Sequence, residues 1–189
     1  INQYHQVPAA LKDIPAGNEY SYLETPVTKV LVAPYDAKQI YMAQISNLDK
    51  KYDPAIEPIR ALYDEYFGGG MNSIVFQEMR ETRGLAYSAW ASIMPPSYLK
   101  YPYVLRTQIA TQNDKMIDAV TTFNDIINNM PESEAAFKLA KDGLTNRLRT
   151  ERIIKGDIIW SYINAQDLGQ NVDPRIKLYN DIQNMSLKD

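Results

Sequence analysis

The residues that could do chemistry in this 189-residue chain are few. It has one histidine, His5, and no cysteine. Protein zinc sites usually draw on two or three His or Cys ligands, so no catalytic zinc is expected from this chain alone. His5 lies in a segment without periodicity or an evident partner and reads as a surface residue. The carboxylate pairs Asp64-Glu65 and Glu78 with Glu81 fall on predicted helix surfaces, where solvated charge is the usual state. Arg80 and Tyr87 stand apart. Arg80 closes a short predicted helix, Gly84 turns the chain, and Tyr87 is the third residue of the strand that leaves the turn. So tight a corner can bring a guanidinium and a phenol to one side, as fixed donors to a carbonyl or developing oxyanion. Spacing alone favours the ordinary arrangement, an arginine bonded to Glu78 or another helix carboxylate and a packed tyrosine. Gly68, Gly69 and Gly70 invite comparison with a phosphate loop. They follow a helix rather than a strand, however, and no lysine or arginine comes before Arg80, so they read as a helix-helix connection.

The elements that must position these groups follow from periodicity. Residues 1–26 mix proline, glycine and polar residues and read as a linker or the tail of a preceding unit, leaving 27–189 as the domain. Thr28 to Ala33 and Gln39 to Ser46 alternate as strands, with a turn at Pro34-Tyr35-Asp36 between them. Asp53-Pro54 begins a helix, or the start slips to Glu57 because of Pro58. That helix carries Ile56, Ile59, Leu62, Tyr63, Tyr66 and Phe67 on one stripe and ends at the glycines. Asn72 or Ser73 caps a second helix that runs to Arg83, and Gly84 takes a left-handed conformation. Leu85 to Met94 and Tyr101 to Ala110 alternate on either side of Pro95-Pro96. The connection is too short for a crossover, so the two runs pair antiparallel. Four helices close the chain. The first bears Ile117, Val120, Phe123 and Ile127, and the second is capped by Ser133. The third opens at Asp157 with Ile159 and Ile163, and the fourth opens at Asp173-Pro174 with Ile176. The class is α+β, an antiparallel sheet packed against helices.

Composition narrows the function. The chain is 45% apolar and 23% charged, with net charge -3 and pI near 5.3, which argues against a nucleic-acid partner. No apolar run reaches the roughly 18 residues of a membrane helix. The first residue is Ile1 rather than methionine, which suggests a piece of a longer protein. The 14 tyrosines against 4 phenylalanines suit a peptide-binding groove, and equally an ordinary core.

The stretch GGGMNSIVFQEMRETRGLAYSAWA, from Gly68, resembles the signature of the C-terminal, non-zinc half-domains of the pitrilysin/insulysin family of zinc peptidases, which includes the mitochondrial processing peptidase. The matching positions are Gly68 to Gly70, Ser73, Arg80-Glu81 and Gly84 to Ser88. The resemblance implies a half-domain whose Arg80 and Tyr87 reach towards a peptide on zinc, with Gly68, Gly69 and Gly70 allowing close backbone approach. Active members carry His-x-x-Glu-His on an N-terminal half, a motif this chain lacks. By this resemblance, zinc would belong to that absent half, and the present chain would bind substrate and be inert alone. Its partners would be the zinc-bearing half and a peptide. The alternatives are a non-catalytic binding or assembly module of the same fold, since some members serve as structural subunits, and a free-standing peptide-binding domain.

Overall fold

The computed structural model of the chain describes residues 4, 12–13, 15–17, 20 and 23–189; His5 lies outside them. Three strands form an antiparallel sheet in the order β1-β3-β2: β1 (Gln39–Lys51), β2 (Ser88–Met94) and β3 (Pro102–Gln112). β3 is central and is buried along most of its length. Ala91 pairs with Thr107 on one side of it, and Gln44 pairs with Thr107 on the other. The expected pairing of the two runs around Pro95-Pro96 is present, with β2 starting at Ser88 rather than Leu85.

Helices cover one face of the sheet. α1 (Glu57–Tyr63) continues as a wider π turn, Asp64–Gly68. α2 (Ile74–Phe76) likewise continues as a π turn, Gln77–Thr82. α3 (Met116–Asn128), α4 (Glu134–Thr150), α5 (Lys155–Asp167) and α6 (Pro174–Gln183) follow. Phe67, Val75, Met79, Ala89, Ala91, Ile109 and Phe123 form the main core between sheet and helices, while Ala61, Leu62, Leu144 and Ile182 join α1, α4 and α6. Tyr66 links the layers through its hydroxyl, which donates to the Pro131 carbonyl (2.6 Å) and accepts from the Ser133 amide (2.9 Å). Among the described residues no helix is long and apolar enough to cross a membrane.

Several local expectations shift. Thr28 to Ala33 forms no ladder and is exposed throughout, so the expected strand there is not present. α1 starts at Glu57, which places Pro58 in the first turn, where a missing N–H costs nothing. Asp53 instead makes a turn of its own, with Oδ1 accepting from the Ala55 amide at 2.9 Å. α5 opens at Lys155 rather than Asp157. The stripes of the later helices are also re-phased. α3 buries Ala119, Phe123 and Ile126 and leaves Ile117 exposed, while Ile159 and Trp160 of α5 and Ile176 of α6 face outward. Ser73 and Ser133 do cap α2 and α4, accepting from the amides of Phe76 (3.3 Å) and Ala136 (3.2 Å).

Candidate functional site

The corner between α2 and β2 is built by backbone bonds that converge on one carbonyl. Gly84 has φ +57°, the left-handed conformation that lets the chain reverse without a Cβ clash. The amides of Leu85 (2.8 Å) and Ala86 (3.1 Å) then both donate to the Met79 carbonyl. Lys115 Nζ donates to the Gly84 carbonyl at 3.0 Å, Thr111 Oγ1 donates to the Leu85 carbonyl at 2.5 Å, and the Tyr87 amide donates to the Ala110 carbonyl at 2.9 Å. The chain after Gly84 is therefore stitched to β3 at Leu85 and Tyr87, and Tyr87 enters the sheet in a defined position.

That geometry brings Arg80 and Tyr87 together. The Arg80 guanidinium carbon lies 5.4 Å from the centre of the Tyr87 ring and 5.1 Å from that of Phe76. Such distances give cation–π attraction of about 0.5–1 kcal/mol at an exposed site. Both groups face solvent: Tyr87 is 68% exposed and the Arg80 side chain 45%. Arg80 also has Glu81 at 3.5 Å, a loose surface pair. Glu78 is bonded by Arg83 at 3.2 Å, not by Arg80. Hence the guanidinium lies over two rings rather than being consumed by a buried carboxylate. Phe76 is the member of this stack that sequence reasoning missed. Its spacing of four from Arg80 on one helix was the available signal.

The glycines have mixed surroundings. Gly68 is buried against β2, and a Cβ there would lie 2.1 Å from the Ala91 carbonyl oxygen. At Gly69 a Cβ would lie 2.5 Å from the Asp64 carbonyl oxygen, whereas at Gly70 it would meet nothing within 4 Å. The close approaches at Gly68 and Gly69 are made to the protein's own backbone. The Gly70 carbonyl accepts from Ser73 Oγ at 2.7 Å and so anchors the cap of α2.

Asp64 is not the solvated surface charge expected from its position. Its Oδ1 accepts from the Ile93 amide (2.9 Å), and its Oδ2 accepts from Ser92 Oγ (3.1 Å) and Arg60 Nη1 (2.8 Å). Arg60 also bonds Glu57 (3.0 Å) and the Ile93 carbonyl (3.2 Å), and Glu57 accepts from the Tyr103 hydroxyl at 2.6 Å. Burial pushes the Asp64 carboxyl above its ordinary range, against the opposing pull of the Ile93 amide and Arg60. Burial and the bond to Glu57 push the Tyr103 phenol up as well. Each member of this network is satisfied by another, so it fastens α1 to the sheet and leaves no free group for a substrate.

Among the described residues no cluster of three His, Asp or Glu side chains could hold a metal ion. The described residues do not fit a zinc site. At the α2–β2 corner an arginine and a tyrosine side chain lie together at the surface.

The family model for the peptidase M16 inactive domain matches residues 11–144. The chain belongs to this family. Solved structures of similar fold include a peptidase M16 inactive domain from Pseudomonas fluorescens (TM-score 0.65, 16% identity, 82% of this chain and 37% of that one). A protease from Helicobacter pylori is also similar (TM-score 0.63, 11% identity, 83% of this chain and 38% of that one). An inactive peptidase domain from Bordetella parapertussis, whose parent carries a zinc-protease designation, matches with TM-score 0.58 and 11% identity, over 84% of this chain and 85% of that one. No curated protein matches the sequence. The chain thus spans 37–38% of two of these structures, and the likeness to them is one of fold.

Proposed function

We propose that this M16 inactive domain is the substrate-binding, non-zinc half of a zinc metalloendopeptidase, and that Arg80 and Tyr87 are its contacts to peptide. The single observation that carries this reading is the exposed stack of Arg80 on Tyr87, set on a corner fixed by Gly84, Met79 and β3. The zinc and the residues that ligate it would reside on a separate N-terminal half, in the same polypeptide or a partner subunit. The role of this chain's own groups is to position. The Tyr87 hydroxyl would donate to a peptide carbonyl oxygen as it gains negative charge. The planar Arg80 fork would hold a neighbouring carbonyl, with Phe76 restricting its rotation.

The test is steady-state kinetics on the enzyme reconstituted with its zinc-bearing half, beside a thermal melt of each variant. Tyr87→Phe removes one donor and keeps the ring under Arg80, so the loss is set at about 2.7–4 kcal/mol, a hundredfold or more in turnover. Arg80→Lys also lowers turnover, because an ammonium reproduces neither the fork nor the stack. Wild-type turnover in both variants would sink the role, and so would a loss accompanied by a collapsed melt. The isolated chain is expected to cleave no peptide, and chelator-sensitive cleavage by it would overturn the division of labour.

A second reading has its own observation. α5 exposes Ile158, Ile159, Trp160 and Tyr162 on a helix that packs little against the rest, as an assembly module of the same fold would. An upstream His-x-x-Glu-His in the parent protein separates the two, favouring the peptidase if present.

A further inference from the structure

Among the described residues nothing pairs along the outer edge of β1, and the residues that would best cover it are in the same chain. The Tyr87 amide takes the Ala110 carbonyl, so the main chain of Ala110 is turned to β2, and its β1 partner Tyr41 is turned away from β3. With the strand period of two, Tyr41, Ala43, Ile45 and Asn47 then direct their amides and carbonyls outward. Asn47 shows this directly, since its amide donates to Thr25 Oγ1 at 3.1 Å, outside the sheet. That contact also sets a register. With Thr25 opposite Asn47, antiparallel continuation puts Val27 opposite Ile45, Lys29 opposite Ala43, Leu31 opposite Tyr41 and Ala33 opposite Gln39. Residues 34–38 are left as the turn, and there the Ala37 amide already bonds the Tyr35 carbonyl at 3.0 Å.

In this register the exposed apolar residues on the two sides meet. Leu31 (92% exposed) faces Tyr41 (66%), and Val27 faces Ile45 on the open side of the sheet. Val32 faces Ile40, and Val30 faces Met42, which already packs against the main core. A slip of one residue would send each of these side chains to the opposite face and break every match.

We propose that residues 27–33 are a strap that closes onto the outer edge of β1 in this register, as a reversible fourth strand. Closed, the strap removes the free edge, which is a template for pairing with other chains, and covers the Tyr41–Ile45 stripe. Open, as in this structure, it leaves both accessible. The strap's occupant is this chain's own segment rather than a second copy.

The absence of cysteine makes a cross-linking test clean. Val32→Cys with Ile40→Cys, a closely spaced pair in the closed register, is expected to oxidise to an intrachain disulfide in the 189-residue chain. Leu31→Cys with Ile40→Cys, on opposite faces, is expected not to. Amide exchange gives a second readout without new cysteines. The Tyr41, Ala43 and Ile45 amides should be protected, and Leu31→Pro, which removes a ladder donor from an exposed residue, should abolish that protection while leaving β3 protected. Equal linking of both cysteine pairs, linking only between two molecules, or unprotected β1 amides in the unaltered chain would each overturn the strap.

Discussion

At the β2 edge of the sheet, side chains of α1 stand in for a missing strand: Asp64 accepts from the Ile93 amide and Arg60 donates to the Ile93 carbonyl. One helical turn later the chain passes so close to Ala91 that only glycine fits at position 68. At the β1 edge no comparable cover is present among the described residues, and Tyr41 and Ile45 are exposed. Both edges carry the same kind of backbone groups. The covered edge therefore shows what closure requires, an acceptor and a donor at strand spacing plus a residue with no side chain. It is also the edge whose strand leads back to the Arg80–Tyr87 corner, so the rigid side of the sheet supports the candidate site.

The largest test of this contrast is Gly68→Ala. A methyl 2.1 Å from the Ala91 oxygen meets backbone rather than a yielding side chain, so α1 or β2 must move. The expected loss is about 3 kcal/mol, at the upper end of the overpacking range, read by denaturant unfolding. A loss under about 0.5 kcal/mol would mean that the helix does not close this edge.

Next in size is Asp64→Ala, which strands the Ile93 amide, Ser92 and one bond of Arg60. Unfolding should show about 2 kcal/mol lost, and Asp64→Asn should recover most of it by keeping an acceptor for the amide. Equal losses in the two variants would assign the effect to charge instead.

Tyr103→Phe removes the bond to Glu57 and should cost about 1–1.5 kcal/mol near neutral pH. It also has a pH signature. The unfolded phenol releases its proton near its ordinary value of 10.0, whereas burial and Glu57 keep it protonated to higher pH in the folded state. The native state then holds more protons above pH 10, so stability falls as pH rises past that point. The variant should show a shallower alkaline decline, the remainder coming from Tyr63, which burial pushes up to about 12, and from Tyr52 and Tyr66, which burial also pushes up. Parallel curves for the variant and the unaltered chain would refute the assignment.

The smallest effect should come from Gly70→Ala, only two residues beyond the most sensitive glycine. Its Cβ meets nothing within 4 Å and its φ is not positive, so the change should stay within about 0.5 kcal/mol. A loss approaching that of Gly68→Ala would erase the distinction between the covered edge and its connection.

Much of the frame was legible before folding. The alternation around Pro95-Pro96 identified the β2–β3 pair, Ser73 and Ser133 were legible as caps, and Gly84 as a left-handed turn, because each depends on a residue's own torsions or its nearest neighbours. The Arg80–Tyr87 corner was legible as a candidate for the same reason, since few residues separate its two halves. What the glycine triplet contacts was not legible. Gly68 is defined by the Ala91 backbone, a contact between distant parts of the sequence that leaves no periodic trace.

By itself the sequence determined the class, the order of elements and the scarcity of metal ligands, all properties of composition and local spacing. Only the tertiary structure decided that Asp64 is a half-buried edge cap rather than a solvated surface charge and that Arg80 stacks on a ring rather than pairing with Glu78. It also decided that the apolar stripe of α5 has no partner among the described residues. These outcomes depend on which distant groups arrive within bonding distance. A one-residue change in helical phase, such as the π turns introduce at Asp64–Gly68 and Gln77–Thr82, redirects every side chain that follows.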